Sequence, residues 1–227
     1  MAKIAYALAA AAGNAAGFEV EFFGYNRINW GAPTGTNNTI SFPSGTQVGD
    51  VAICMGLSNN GSAPYPSGWL GGATYNSTFE AQISAKVLDS TDISAGVVQY
   101  TDSTRTDSET APWKAGFVVV FRPTAAVSIS WRSATAQGGT GSITLSSSTT
   151  LYSVDVASME SYATEVIGSI SGTWDYYVGY NPASRMNSQF AYLFNTSLVG
   201  GKTISFGASG RSVYDVTAAG RLEISEA

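Results

Sequence analysis

The chain has 227 residues, a net charge of −5 and a pI of 4.6, with one cysteine, no histidine and 12% charged residues. A chain this long buries a core without cross-links, and one cysteine excludes an intramolecular disulfide. Its scattered Lys and Arg speak against a nucleic-acid partner, and no apolar run approaches the roughly 18–20 residues that cross a bilayer, so no membrane is expected.

The charged fraction lies well below the about 25% usual in soluble domains. Such a surface suits a subunit packed among neighbours better than a free monomer. The first stretch, MAKIAYALAAAAGNAAG, imitates a secretion signal, with Lys3 before an apolar run from Ile4 to Ala12. The single lysine and the alanine dilution weaken that reading. Residues 1–17 are expected to be retained as a docking segment, either a short helix limited by Gly13 and Gly17 or an extended arm. Ile4, Tyr6 and Leu8 are its candidate subunit-docking residues.

From Phe18 onward the pattern is β. Short segments rich in Val, Ile, Phe, Tyr and Thr follow in order: FEVEFF, NTISF, DVAICMGL, FEAQISAKVL, GVVQY, GFVVVFRP, VSISWR, SITL, LYSVDVASM, EVIGSI, DYYVGY, QFAYLFN, KTISFGA and GRLEIS. Period-two alternation sets Ile83, Ala85 and Val87 against Ser84 and Lys86, and Val127, Ile129 and Trp131 against Ser128 and Ser130. Turn signals such as NNGS, PYPSG, DSTD and VGGK separate them. No long helical period follows residue 17 and no tandem repeat is visible. The pattern predicts an all-β fold, an antiparallel β-sandwich with jelly-roll-like connections and one domain over 18–227. The composition shift TAQGGTGSITLSSSTT is the one candidate for an interdomain linker, and SITL within it also reads as a strand.

Chemistry is sparse. Without histidine there is no Ser-His-Asp or Cys-His site and no His-bearing zinc site. Cys54 lies in an apolar run and reads as a buried small hydrophobe. GGKT at Gly200–Thr203 lacks the upstream glycine of a phosphate loop, with Thr196 in its place, and reads as a hairpin turn. A glycosidase can run on two carboxylates, and Asp50, Glu80, Asp155, Glu160, Glu165 and Asp175 are the candidates, but no spacing singles out a pair. Asp89 and Asp92, or Asp102, Asp107 and Glu109, carry the hard oxygens that suit Ca²⁺, yet read more simply as turn caps. The sequons at Asn60 and Asn76 matter only in a glycosylating compartment. No enzyme activity, metal or cofactor is expected. Trp69 and Trp113 sit on turn signals and are the candidate sugar-stacking residues, while Trp131 reads as core and Trp30, Trp174, Tyr176 and Tyr177 are open.

Read in order, SFPSGTQVGDVAICMGL (41–57), APYPSGW (63–69), ISAKVLDSTD (83–92), GFVVVFRP (116–123) and AAGRLEIS (218–225) resemble a β-sandwich module of tailed-bacteriophage virion proteins. The likeness is carried by a Gly-Asp before a buried strand, a Pro-x-Gly-Trp turn, a lysine-bearing strand and a valine-rich strand ending in Phe-Arg. Locally, the Asp50 carboxylate is expected to bond nearby backbone N–H groups, Pro66–Trp69 to fold the indole back over the sheet, and Arg122 to pair with an acid at the sandwich edge. The resemblance covers residues 39–123 best and implies no catalytic residues. It implies a virion structural protein assembled in a host bacterial cytoplasm, contacting other capsid or tail proteins as a homo-oligomer, by analogy a trimer. Capsid decoration is the first expectation and a receptor- or glycan-binding module of a tail fibre or tail tip the second.

Overall fold

The computed structural model describes residues 17–31, 37–59, 65–75, 79–101, 114–139, 141–162, 169–180, 186–207 and 215–227. Ile4, Tyr6, Leu8 and Trp113 lie outside them, as do Asp102, Asp107, Glu109, Glu165 and both sequon asparagines.

The fold is an all-β sandwich of antiparallel sheets. The first half of the chain holds β1 (Val20–Gly31), β2 (Asn37–Ser41), β3 (Val51–Asn59), β4 (Leu70–Tyr75), β5 (Phe79–Val87), a one-turn helix α1 (Ser90–Ala95), β6 (Val97–Thr101) and β7 (Lys114–Pro123). The second half holds β8 (Val127–Gly138), β9 (Ser142–Leu145), β10 (Tyr152–Tyr162), β11 (Tyr176–Tyr180), β12 (Met186–Asn195), β13 (Lys202–Ser205) and β14 (Val216–Glu226). One large sheet runs β1-β7-β3-β5-β4 and the other β8-β14-β10-β12-β11, with the small sheets β2-β6 and β9-β13 beside them.

The two large sheets pack face to face, and each small sheet covers the outer face of its own large sheet. Val51, Ile53, Met55 and Leu57 on β3 point into the inter-sheet core with Val154 and Val156 on β10. Ala52 and Cys54 point the other way, under Ile40 of β2 and Val98 of β6. With both faces covered, β3 reads as the unbroken apolar run VAICMGL instead of alternating. Ala157 and Met159 on β10 meet Ile143, Leu145 and Ile204 in the same manner. At the edge, β8 keeps a clean alternation, with Ile129 and Trp131 packed inward and Ser128 and Ser130 exposed. Fully burying a side chain such as Phe117 stabilises by about 1.5–3 kcal/mol.

The strand order of the first half recurs in the second, which the residues alone do not disclose. In each half the pairs are nested: β1·β7, β2·β6 and β3·β5 about β4, then β8·β14, β9·β13 and β10·β12 about β11. This nested winding is that of a jelly roll. Residues 135–150 are not a linker, because they hold the end of β8 and all of β9. The connection between the halves is the exposed Thr124–Ala126 turn.

Two local expectations differ from the structure. EVIGSI forms no named strand among its described residues, and Ile170 makes only an isolated bridge to Phe206. LGGATY, not named among the expected strands, is β4. Its glycines leave room for rings, since a Cβ on Gly71 would lie 2.3 Å from the Tyr65 ring and one on Gly72 2.6 Å from Trp131.

Candidate functional site

The acidic candidates fall mostly into structural contacts. Asp50, buried at the start of β3, takes two hydrogen bonds from Arg122, Nε to Oδ1 at 2.9 Å and Nη2 to Oδ2 at 2.8 Å. Its Oδ2 also accepts from the Gln47 backbone N–H, and Arg122 Nη2 donates to the Gly45 carbonyl. The guanidinium lies 3.9 Å from the centroid of the Phe23 ring. This is the Gly-Asp and Phe-Arg arrangement of the sequence, and it fixes the connection between β2 and β3. Asp89 caps α1, accepting from the N–H groups of Thr91 and Asp92, while Asp92 accepts from the Asp89 N–H. Lys86 reaches both carboxylates, and it is the first cause of an Asp89 pKa held down at about 2. These two aspartates are therefore a helix cap with its counter-ion.

On the second half Arg221, almost fully buried, forms a forked pair with Asp155 at 2.6 and 2.9 Å. Its Nη1 donates to the carbonyls of Ser146 and Gly200 at 2.7 and 2.9 Å, which ties both connections flanking the small β9-β13 sheet to the large sheet. Gly200–Thr203 is consequently the crossing from β12 into β13 and not a hairpin turn. Lys202 Nζ sits 3.9 Å from Asp155 and 4.0 Å over the Trp174 ring, and burial lowers its pKa against the opposing pull of Asp155. Glu223 accepts from the backbone N–H and hydroxyl of Thr149. Asp175, exposed, accepts from the Phe194 N–H. Glu80 and Glu160 are buried. Among the described residues no group of three His, Cys, Asp or Glu side chains could hold a metal ion, and no helix is long and apolar enough to cross a membrane.

Cys54 is fully buried, with its thiol pushed up to about 12 by burial. The Trp69 backbone N–H donates to the Pro66 carbonyl and closes the turn, and the half-buried indole packs against the outer cluster of the first large sheet, so it does fold back over the sheet. Trp131 packs inward, and Trp174 packs on the cluster under β9-β13.

The surface best built for contact is the edge where β1 lies against β11. Phe22 stacks on Tyr192 at 5.6 Å between centroids, Tyr25 meets Tyr176 at 4.3 Å, and both tyrosines pack on Phe117 at 5.4 Å. Tyr176 is raised to about 12 by burial first and then by its hydrogen bond with Tyr25, so it remains a neutral phenol in neutral solution. Although Phe22 and Tyr25 face the core, they are 43% and 39% exposed, because among the described residues no strand pairs beyond β1 or β11. The opposite edge, where β4 lies against β8, is closed. Trp131 Nε1 donates to the Leu70 carbonyl at 3.2 Å, and Tyr75 lies where a Cβ on Gly138 would be.

Phe22 and Tyr25 are three apart and share a face only because β1 bulges. Phe22 pairs with Phe121 and Gly24 with Val120, leaving Phe23 outside the register. A period-two reading puts them on opposite faces, so the sequence did not single them out. No family model, curated protein or solved structure matches the chain.

Proposed function

We propose that the protein is a non-enzymatic structural component of a bacteriophage virion surface, a capsid decoration (cement) protein that stabilises the shell by subunit contacts. The observation that carries this reading is the open aromatic edge on a sparsely charged sandwich, with Phe22 and Tyr25 presented to solvent on a rigid stacked base. Large apolar groups exposed in a connected set mark contact surfaces. Exposed Val48, Leu70, Tyr177 and Leu198 add separate apolar points elsewhere on the surface. The resemblance of residues 39–123 to virion modules supports the same assignment, with residues 1–17 as the locking segment and a trimer as the oligomer. The work done is burial. Interfaces of about 1,600 Å² seal subunit seams, and binding that favours the closed shell stabilises it without chemistry.

Gold-labelled antibody imaging of intact virions tests this reading. Label over the whole head is expected, and label confined to the tail overturns it. The Phe22→Ser/Tyr25→Ser double variant is expected to bind shells at least about ten-fold more weakly, since a buried aromatic anchor is worth about 2 kcal/mol or more.

The second reading, a receptor- or glycan-binding module of a tail fibre or tip, is favoured by one feature. Tyr25 and Tyr176 form an aromatic platform with Arg27 nearby, and sugars stack on such faces. Glycan-array binding lost on Tyr25→Ala but kept on Trp69→Ala would select it.

A further inference from the structure

The two halves of the chain match far beyond strand order. From β2 through β3 the match to β9 and β10 runs without a gap. Ile40 and Ile143 are 103 residues apart, as are Phe42 and Leu145, Val51 and Val154, and Ile53 and Val156. In each case the paired residues occupy the same layer. Ile40, Phe42, Ile143 and Leu145 pack between a small sheet and its own large sheet, and Val51, Ile53, Val154 and Val156 lie between the large sheets.

One irregularity matches as well, although the shifts at Ile28–Gly31 in β1 and Gly71–Ala73 in β4 have no counterpart in β8 or β11. Near the start of β1 the residue outside the register is Phe23, opposite the step from Phe121 to Val120. In β8 it is Arg132, opposite the step from Leu222 to Arg221. Ile53 pairs with Val119 and Val156 with Gly220, so the two bulges fall at the same place relative to the central strand. Both bulged residues serve the outer layer. Phe23 lies beneath Arg122, which holds the β2–β3 connection, and Arg132 Nε donates to the Ser147 carbonyl in the β9–β10 connection. A bulge costs ladder hydrogen bonds and re-aims a side chain, and two at one topological position are hard to reach independently.

The halves are also placed symmetrically. The first strand of one half lies against the fourth strand of the other at both edges, Tyr25 on β1 against Tyr176 on β11, and Trp131 on β8 against Leu70 on β4. A two-fold axis along the strands, between the large sheets, produces this arrangement.

We infer that the chain is a fused pair of seven-stranded units, and that the inner face of each large sheet is a docking surface whose partner is another such unit, the other half of the same chain. Each half closes its own outer face with its own small sheet and completes its own nested pairs. Among the described residues the inner face of each large sheet is left for a partner to cover, and it meets the corresponding face of the other half. This is the geometry of an isologous dimer joined by a three-residue turn. Each unit has roughly 100 residues, a common domain size. The inference stands whether or not the protein belongs to a virion.

The test cuts the folded full-length chain at a protease recognition sequence inserted after Ala125, in the exposed turn between the halves. A second full-length variant carries the same insertion after Ser197, in the exposed connection between β12 and β13. Both are cut, unfolded in urea and refolded beside their uncut forms. The chain cut at 125 is expected to regain its far-UV spectrum, to elute at the volume of the uncut protein, and to show a midpoint that rises with protein concentration. The chain cut at 197 loses β13 and β14 from their partners and is expected not to refold. Equal recovery of both cut chains overturns the inference. So does failure of the chain cut at 125 to refold when its uncut form does.

Discussion

Glu160 is the buried acid with least to hold its charge. On β10 it alternates with Val154 and Val156 toward the inter-sheet core, flanked by Ser188 and Val216 on the neighbouring strands. It is fully buried, and neither carboxylate oxygen has a hydrogen-bond partner. Burial, and behind it the Glu80 carboxylate, push its pKa well above the ordinary value. The native state therefore keeps a proton that the unfolded chain releases near pH 4.3. Below that pH both states are protonated and the stabilisation is fully present. As pH rises from there to the folded pKa, the native state binds more protons, and stability falls by up to about 1.4 kcal/mol per pH unit. Glu160→Gln keeps the shape, cannot ionise and relieves Glu80. In a chain of this size 1 kcal/mol moves Tm by about 2–4 °C. Scanning calorimetry from pH 4 to 8 is expected to show the variant close to the wild type at pH 4. It should then pull ahead by about 3–5 °C for each unit crossed in the lower part of the window. A Tm difference that stays constant with pH, or that grows toward acid, refutes the reasoning.

Three further outcomes follow from the same geometry. Arg221→Met strands the buried Asp155 carboxylate and removes the donor to two carbonyls, so urea denaturation should show a loss of about 3–5 kcal/mol, partly recovered by adding Asp155→Leu. Gly220→Ala puts a Cβ 2.7 Å from Ile83 Cδ1 and 2.8 Å from the Trp131 ring, and thermal melts should show a cost of about 1–3 kcal/mol with a shifted Trp131 emission. The Cys54 thiol, fully buried and raised to about 12, should ignore a thiol reagent at pH 8 in the native protein and react with one equivalent on unfolding, so rapid native labelling would contradict the packing of β3.

The fold class was legible because most strands announce themselves by β-branched and aromatic runs between turn residues, and both alternations read from the sequence face as expected. Pairing was legible only in outline: an acid was expected beside Arg122 and backbone N–H groups at Asp50, and the structure makes Asp50 that acid while Gln47 supplies the N–H. Three features were not legible, each for a physical reason. β4 is a strand whose glycines exist to receive the rings of Tyr65 and Trp131, so its own side chains say little. The aromatic edge depends on a bulge, which breaks the period that a sequence reading relies on. The Asp155–Arg221 pair is 66 residues apart in sequence, and Arg221 sits in a segment that reads as one more apolar strand.

The duplication escapes the sequence because equivalent positions do the same work with different chemistry. Arg122 on β7 clamps the β2–β3 connection, while its counterpart Glu223 on β14 clamps the β9–β10 connection through Thr149. Ala52 and Val120 pack apolar against the first small sheet where their counterparts Asp155 and Arg221 form an ion pair. The inner faces have diverged in volume too. Phe117 and Val119 on β7 correspond to Ala218 and Gly220 on β14, whereas Ile83 and Ala85 on β5 correspond to Phe190 and Tyr192 on β12. In the folded chain large meets large, Phe117 against Phe190 at 5.8 Å and Phe121 against Phe194 at 5.0 Å. On the other side Gly220 leaves the room that Ile83 and the Trp131 ring take up. Two copies of one half would set large against small on both sides and need a different sheet spacing, and packed cores do not absorb such a change freely. The surface that began as self-complementary geometry now selects the opposite half. The chain cut at 125 should therefore reassemble as one first half with one second half, and native mass measurement of refolded material should find no pairs of like halves.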